Sequence, residues 1–299
     1  MRKDQYLLRL DYLQNFFEAV VIQGLSLINI IFHFFIFIDI LNLVLKKKIK
    51  ALLIDLEGVV YQEGKEIPGS ISFIQYLDKI NFPYLFLTNT TTMPRKDIAK
   101  KLINLGLNTN PKMIITPLIA AQNYLKKNHL SNIALYCNKR CWVEFEDFEI
   151  NFQSPDAVII GDLYKKFTWP KLNEIFHVSL NSKKLIAFHK NKTGTREGKI
   201  ALDLGPFIKA LEYALDKGFI LMGKPNKLFF QTAVDHLNIN NKEILMIGDD
   251  ILVDIGGAQD LNLQTCLVKT GKYGKQFNPN SIKPLYLLPK LSAVKSILS

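Results

Sequence analysis

The chain has 299 residues, a hydrophobic fraction of 48% and a formal net charge of +11. That length holds two ordinary domains or one core with a large insertion. The charge invites an anionic partner, but no Arg-rich helix, zinc-finger spacing or RNA-binding aromatic motif occurs, which argues against nucleic acid. Cys137, Cys141 and Cys266 form no CxxC pair and the five histidines show no metal-ligand spacing. Those counts exclude a disulfide framework and a zinc site and fit a reducing, cytoplasmic compartment.

Residues 1–49 differ from the rest. From Ala19 to Leu45 the chain is mostly apolar, and Lys46-Lys47-Lys48-Ile49-Lys50 follows. Two readings fit. One is a membrane helix or peripheral anchor over residues 19–45 with cytoplasmic lysines. The other is an upstream start, with the working protein beginning near Lys46. Gln23, Asn29, His33, Asp39 and Asn42 weaken the first. A cleaved signal peptide is not expected, since no small-residue cleavage site follows the apolar run.

From Lys50 strand and helix patterns alternate, which predicts an α/β fold with parallel sheet. Strands are expected at Ala51–Ile54, Tyr84–Leu87, Met113–Ile115, Ile133–Tyr136, Ala157–Ile160, Leu185–Phe188, Ile220–Met222, Ile244–Ile247 and Thr265–Val268. Between them, Ile71–Ile80 reads as a helix capped by Ser70, Ile98–Leu105 as one closed by Gly106, and Phe207–Leu215 as a third. In Ala51-Leu52-Leu53-Ile54-Asp55 four apolar residues run into an acid, as a buried parallel strand does when it emerges at its carboxyl edge. Open α/β folds bind ligands at that edge. Asp55 is therefore the candidate nucleophile.

Three further strand-like runs end in chemistry: Leu87-Thr88-Asn89-Thr90, Gly223-Lys224-Pro225, and Ile247-Gly248-Asp249-Asp250 with Asp254 and Gly256-Gly257-Ala258 after it. Together these four segments resemble the haloacid dehalogenase (HAD) superfamily, and the wider stretches resemble its subclass IIA, the NagD-like phosphatases. The tail from Met246 to Tyr273 is similar to the branch of the phospholysine/phosphohistidine/inorganic pyrophosphate phosphatases. The resemblance covers about residues 50–299.

It implies a HAD-type Rossmann-like core over 50–115 and 221–299, an inserted α/β cap over 116–220, and a Mg²⁺-dependent phosphatase acting on small phosphorylated molecules or pyrophosphate. Asp55 would attack phosphorus. Asp55, Asp249 and the backbone carbonyl of Glu57 would hold Mg²⁺. Thr88 and Asn89 would bind the phosphoryl group, with Lys224 facing them. Asp254 and Asp250 would orient Lys224 or water. His189 is a candidate substrate contact or a capping histidine. Lys190, Lys192, Arg196 and Lys199 could meet an acidic leaving group, or form a solvated loop. A homodimer through the cap is plausible for the subclass.

One position departs from the pattern. The superfamily usually carries a second Asp two residues after the first, for proton transfer; here it is Glu57, one methylene longer. Relatives in the same branch use a small hydroxyl residue there. The alternative reading is thus a catalytically weak or inactive phosphoester-binding protein.

Overall fold

In the computed structural model, residues 48–196, 198–274 and 281–298 are described. The apolar stretch 19–45 lies outside them. Among the described residues no helix is long and apolar enough to cross a membrane.

The strand Ala51–Asp55 is central in a six-stranded sheet. Ile244–Gly248, Gln264–Val268 and Tyr286–Leu288 lie in turn on one side of it, and Tyr84–Leu87 then Ile114–Ile115 on the other. Every pairing is parallel. The four inner strands are buried along their length, which is why they read as unbroken apolar runs rather than alternating ones. Parallel register puts all their carboxyl ends on one edge, so the loops beginning at Asp55, Thr88, Asp249 and Lys269 meet there.

A second sheet comes from residues between those strands. Its order is Ile220–Leu221, Lys184–Ala187, Ala157–Ile160, Asn132–Tyr136, Glu149–Ile150, again all parallel. The α/β expectation of a parallel core with a second α/β layer inserted in it holds.

The two sheets share apolar core. One cluster contains Leu53, Leu85 and Ile115 from the first sheet with Ile133, Ile159, Ile186 and Phe188 at the second. Phe188 is fully buried, and its ring stacks on that of Phe145 with centroids 6.3 Å apart. The helices Pro117–Lys127 and Lys227–Leu237 pack on each other and send Leu118, Ala121, Leu125, Phe229, Phe230 and Ala233 into this cluster.

Some local expectations need correction. Ser70 does not cap the first helix, Ser70–Lys79; Gly69 holds that position without a side-chain bond. The Ser70 hydroxyl instead lies 2.6 Å from Val60 O and 2.7 Å from Ile67 O. It thereby ties the helix to a small antiparallel hairpin, Tyr61–Gln62 with Lys65–Glu66, beside the Asp55 loop. The second helix starts earlier than expected, at Arg95, and the third at Leu204. Glu149–Ile150 and the hairpin Thr193–Arg196 with Lys199–Leu202 carry no strong apolar run and are not among the expected strands; Tyr286–Leu288, in the short apolar run Leu285–Leu288 between two prolines, is a further unexpected strand.

Because the cluster is shared, both sheets should unfold in one transition. Phe188→Ala should cost about 3–5 kcal/mol, read by urea unfolding, and should leave that transition single. Two separated transitions would show that the layers are independent.

Candidate active site

Lys224 sits at the centre. Its side chain is buried, and its ammonium donates to Asp55 Oδ1 at 2.5 Å and to Asp254 Oδ1 at 2.7 Å. Burial alone would lower the lysine pKa, but Asp254 and then Asp55 reverse that and hold it above its ordinary value. Its backbone is fixed as firmly. Lys224 N–H donates to Asn89 Oδ1 at 2.8 Å, and Asn89 Nδ2 donates back to Lys224 O at 3.0 Å. The carboxamide of Asn89 therefore spends both its groups on Lys224, and Asn89 joins the strand-end loop to the lysine across 135 positions.

Asp55 is 7% exposed. Burial pushes its carboxyl up to about 7, against Lys224 and with help from Asp254 and Asp249. Asp249 rises to about 6, first through burial and then through Asp254, while the Lys272 backbone amide pulls the other way. One oxygen each of Asp55, Asp249 and Asp254 lie within 4.8 Å of one another.

These three acids divide by their partners. Asp254 uses one oxygen on Lys224 and the other on the backbone N–H of Asp250, at 3.2 Å. Asp55 uses Oδ1 on Lys224, and Asp249 uses Oδ2 on Lys272 N–H at 2.7 Å. The second oxygens of Asp55 and Asp249 are thus the hard donors left for a cation. Buried carboxylates whose pKa values are raised by burial and by neighbouring acids are short of positive charge, and a hard divalent ion such as Mg²⁺ fits that donor set.

Asp249 is also enclosed by two glycines. Gly58, at φ +84°, and Gly271, at φ +58°, leave no room for a Cβ: one would lie 2.1 Å and the other 2.0 Å from Asp249 Oδ2. The loop Thr270-Gly271-Lys272 closes this side. Thr270 Oγ1 donates to Gly58 O at 2.5 Å, and Lys272 Nζ to Asp250 Oδ2 at 3.2 Å. Asp250 Oδ1 meanwhile caps the turn Ile251–Gly256 through Leu252 N–H and Val253 N–H. It supports the site's scaffold rather than Lys224. Nothing in the local sequence marks the 270–272 loop for this part, although like the others it follows a buried strand, Gln264–Val268.

Thr88 is buried, with its hydroxyl 2.9 Å from Thr90 Oγ1. Glu57 lies apart from the acid cluster. Its side chain is exposed, and Oε1 accepts the N–H of Glu63, at 2.7 Å, on the small hairpin. His189 is buried, and its Nδ1 accepts Asn191 N–H at 3.4 Å, which is turn-capping geometry.

Among the cap basic residues, Lys190 is ion-paired with Glu212, while Lys192 and Lys199 are exposed. The side chain of Arg196 lies outside the described part. A cavity of about 460 Å³ opens at the carboxyl edge of the second sheet, lined by Thr92, Asn138, Lys139, Tyr164, Lys165 and Lys166. No motif marks those lysines in the sequence; only the fold gathers them.

Gly58→Ala should displace Asp249 and raise the Mg²⁺ half-saturation concentration by about 10–100-fold. An unchanged Mg²⁺ titration would remove Asp249 from the ligand set. Burial opposes ionisation of Glu212, but Lys190, Phe219 N–H and Lys209 hold its pKa down to about 2. A carboxyl depressed on folding stabilises above its unfolded pKa, ordinarily 4.5, and that gain is lost as pH falls toward 2. Glu212→Gln should therefore lower stability by about 2 kcal/mol at pH 7 and flatten the loss between pH 4.5 and 2, as measured by thermal melts across pH.

Comparison with known proteins agrees with this geometry. The family model for haloacid dehalogenase-like hydrolases matches residues 52–151, and a second, HAD-hydrolase-like, matches 221–294. The chain is 35% identical to haloacid dehalogenase-like hydrolase domain-containing protein 2 of Mus musculus over 239 residues, covering 80% of this chain and 91% of that one. It is 31% identical to phospholysine phosphohistidine inorganic pyrophosphate phosphatase of Danio rerio over 261 residues, covering 85% and 96%. Among solved structures, a thermostable NPPase from Geobacillus stearothermophilus superposes with TM-score 0.74 at 26% identity, covering 82% of this chain and 98% of that one. NagD from E. coli K-12 shares the fold, with TM-score 0.74 at 20% identity and coverage of 82% and 98%. With a relative of this identity spanned over most of its length, the chain belongs to the haloacid dehalogenase-like hydrolases and shares the fold of NagD.

Proposed function

We propose that the protein is a Mg²⁺-dependent phosphatase of small phosphorylated molecules or pyrophosphate. The observation that carries this is the buried Asp55–Lys224–Asp254 line with Asp249 beside it. Asp55 attacks phosphorus in line, the P–O bond to the leaving group breaks and that oxygen takes a proton from Glu57 or solvent; water then attacks the aspartyl-phosphate, loses its proton, and frees inorganic phosphate and the Asp55 carboxylate. Lys224, fixed by Asn89 and Asp254, meets the charge that spreads over the phosphoryl oxygens. The Thr88 hydroxyl binds one of those oxygens. Asp55, Asp249 and the backbone carbonyl of Glu57 would hold Mg²⁺, which supplies charge neutralisation when bound. A leaving group reaching the cavity of the second sheet would meet Lys139, Lys165 and Lys166 beside Asp162, and the relatives' printed substrates, phospholysine, phosphohistidine and pyrophosphate, are the first candidates.

A second reading is favoured by one observation. The Glu57 carboxylate rests on Glu63 N–H, away from the buried acids. Proton transfer requires a group within hydrogen-bond reach of the leaving oxygen. Glu57 must leave the hairpin to serve, so turnover is slow.

Phosphate release from a panel of small phosphoesters and pyrophosphate, with and without Mg²⁺, tests both. Asp55→Asn should reduce release by at least about 1,000-fold. Glu57→Asp should raise the catalytic rate by about tenfold or more. Release that persists in Asp55→Asn would refute the mechanism. No release from the parent or from Glu57→Asp would favour the binding protein.

A further inference from the structure

The loop from Thr88 to Pro94 joins the second core strand to the helix Arg95–Asn104. Its first end is well held: Thr88 N–H donates to Ile115 O at 3.1 Å, and Asn89 grips Lys224. Its second end should be loose. The residue at the helix N-cap is Pro94, which has no side-chain acceptor for the exposed amides of the first turn.

A residue 49 positions away fills that role. Glu144, in the turn Lys139–Phe145 of the inserted layer, accepts Arg95 N–H on Oε1 at 2.6 Å. Its Oε2 accepts Arg95 Nε at 3.1 Å and pairs with Nη2 at 3.1 Å. The Glu144 side chain is only 8% exposed. Three turn residues earlier, Cys141 Sγ donates to Thr91 O at 3.4 Å, on the loop itself. The same turn begins beside Asn138 and Lys139, which line the cavity.

We propose that Glu144 is a positioning residue for phosphate binding. It caps the helix Arg95–Asn104 from the inserted layer and fixes the far end of the loop, and so holds Thr90, whose hydroxyl lies 2.9 Å from that of Thr88 and orients it. The inference rests on Thr88 as a phosphoryl-oxygen ligand.

Its control lies next to it. Arg140 Nη2 pairs with Asp97 at 2.6 Å, a second bridge between the same two elements that leaves the loop's cap alone. Glu144→Gln, Glu144→Ala and Arg140→Ala are compared in the full chain with Mg²⁺ present. Inhibition by inorganic phosphate gives Ki, and amide hydrogen exchange gives the protection of residues 88–95. Glu144→Ala should raise the phosphate Ki by about fivefold, the worth of one helix cap, and speed exchange at 88–95. Glu144→Gln, which keeps an amide oxygen, should fall between it and the parent. Arg140→Ala should change neither. Unchanged exchange at 88–91 in Glu144→Ala would overturn the proposal even if the protein melts earlier. So would equal effects of Arg140→Ala, which would reduce Glu144 to general bracing. If exchange responds but phosphate neither binds nor is released by the parent, the reading of Thr88 and of the enzyme fails instead.

Discussion

A lysine ammonium buried between two aspartates is the constraint on which this molecule turns. Burial at that depth works against the charge on Lys224 and against the charge on Asp55. Asp254 and Asp55 hold the ammonium charged, while Lys224 offsets only part of what burial does to Asp55. Removing one partner from such a set is costly, since it strands a buried charge. The fold must therefore deliver the groups to within a few tenths of an ångström. It does so with parallel strands that share one carboxyl edge, an Asn89 side chain that pins the lysine backbone, and glycines that let Gly58 and Gly271 close over Asp249.

The acids remain in excess. Asp55 and Asp249 carry raised pKa values although Lys224 and the Lys272 amide work against the shift. A hard divalent cation would offset that excess of buried carboxylate. Glu57 completes the contrast. It stands two residues from Asp55, yet its longer side chain reaches the hairpin amide of Glu63 instead of the buried cluster.

The sequence carried the chemistry at its strand ends because both-faces-buried strands are apolar to their last residue. Asp55, Thr88 and Asp249 thus stand out as polar residues after apolar runs, and Lys224 follows Gly223 in the same way. What escaped was set by contacts between distant positions. Asn89 reads as a phosphate ligand until its partner 135 residues on is known. Glu144 looks like one surface acid among many until Arg95 meets it. The direction of Glu57 depends on a side-chain rotamer. Ser70 has the chemistry of a cap, but its hydroxyl bonds Val60 O, just before the hairpin, instead of a helix amide. Short strands such as Glu149–Ile150 hold their place by pairing with Asn132 and Ile133, not by pattern.

The central claim is that Asp55 becomes phosphorylated. The direct measurement is to react the protein with a phosphoester in the presence of Mg²⁺, reduce any acyl phosphate with borohydride, and map the product by peptide mass spectrometry. The account predicts homoserine at position 55 and nowhere else, dependent on substrate. Phosphate release accompanied by an unmodified Asp55, or by a mark on another residue, would contradict it.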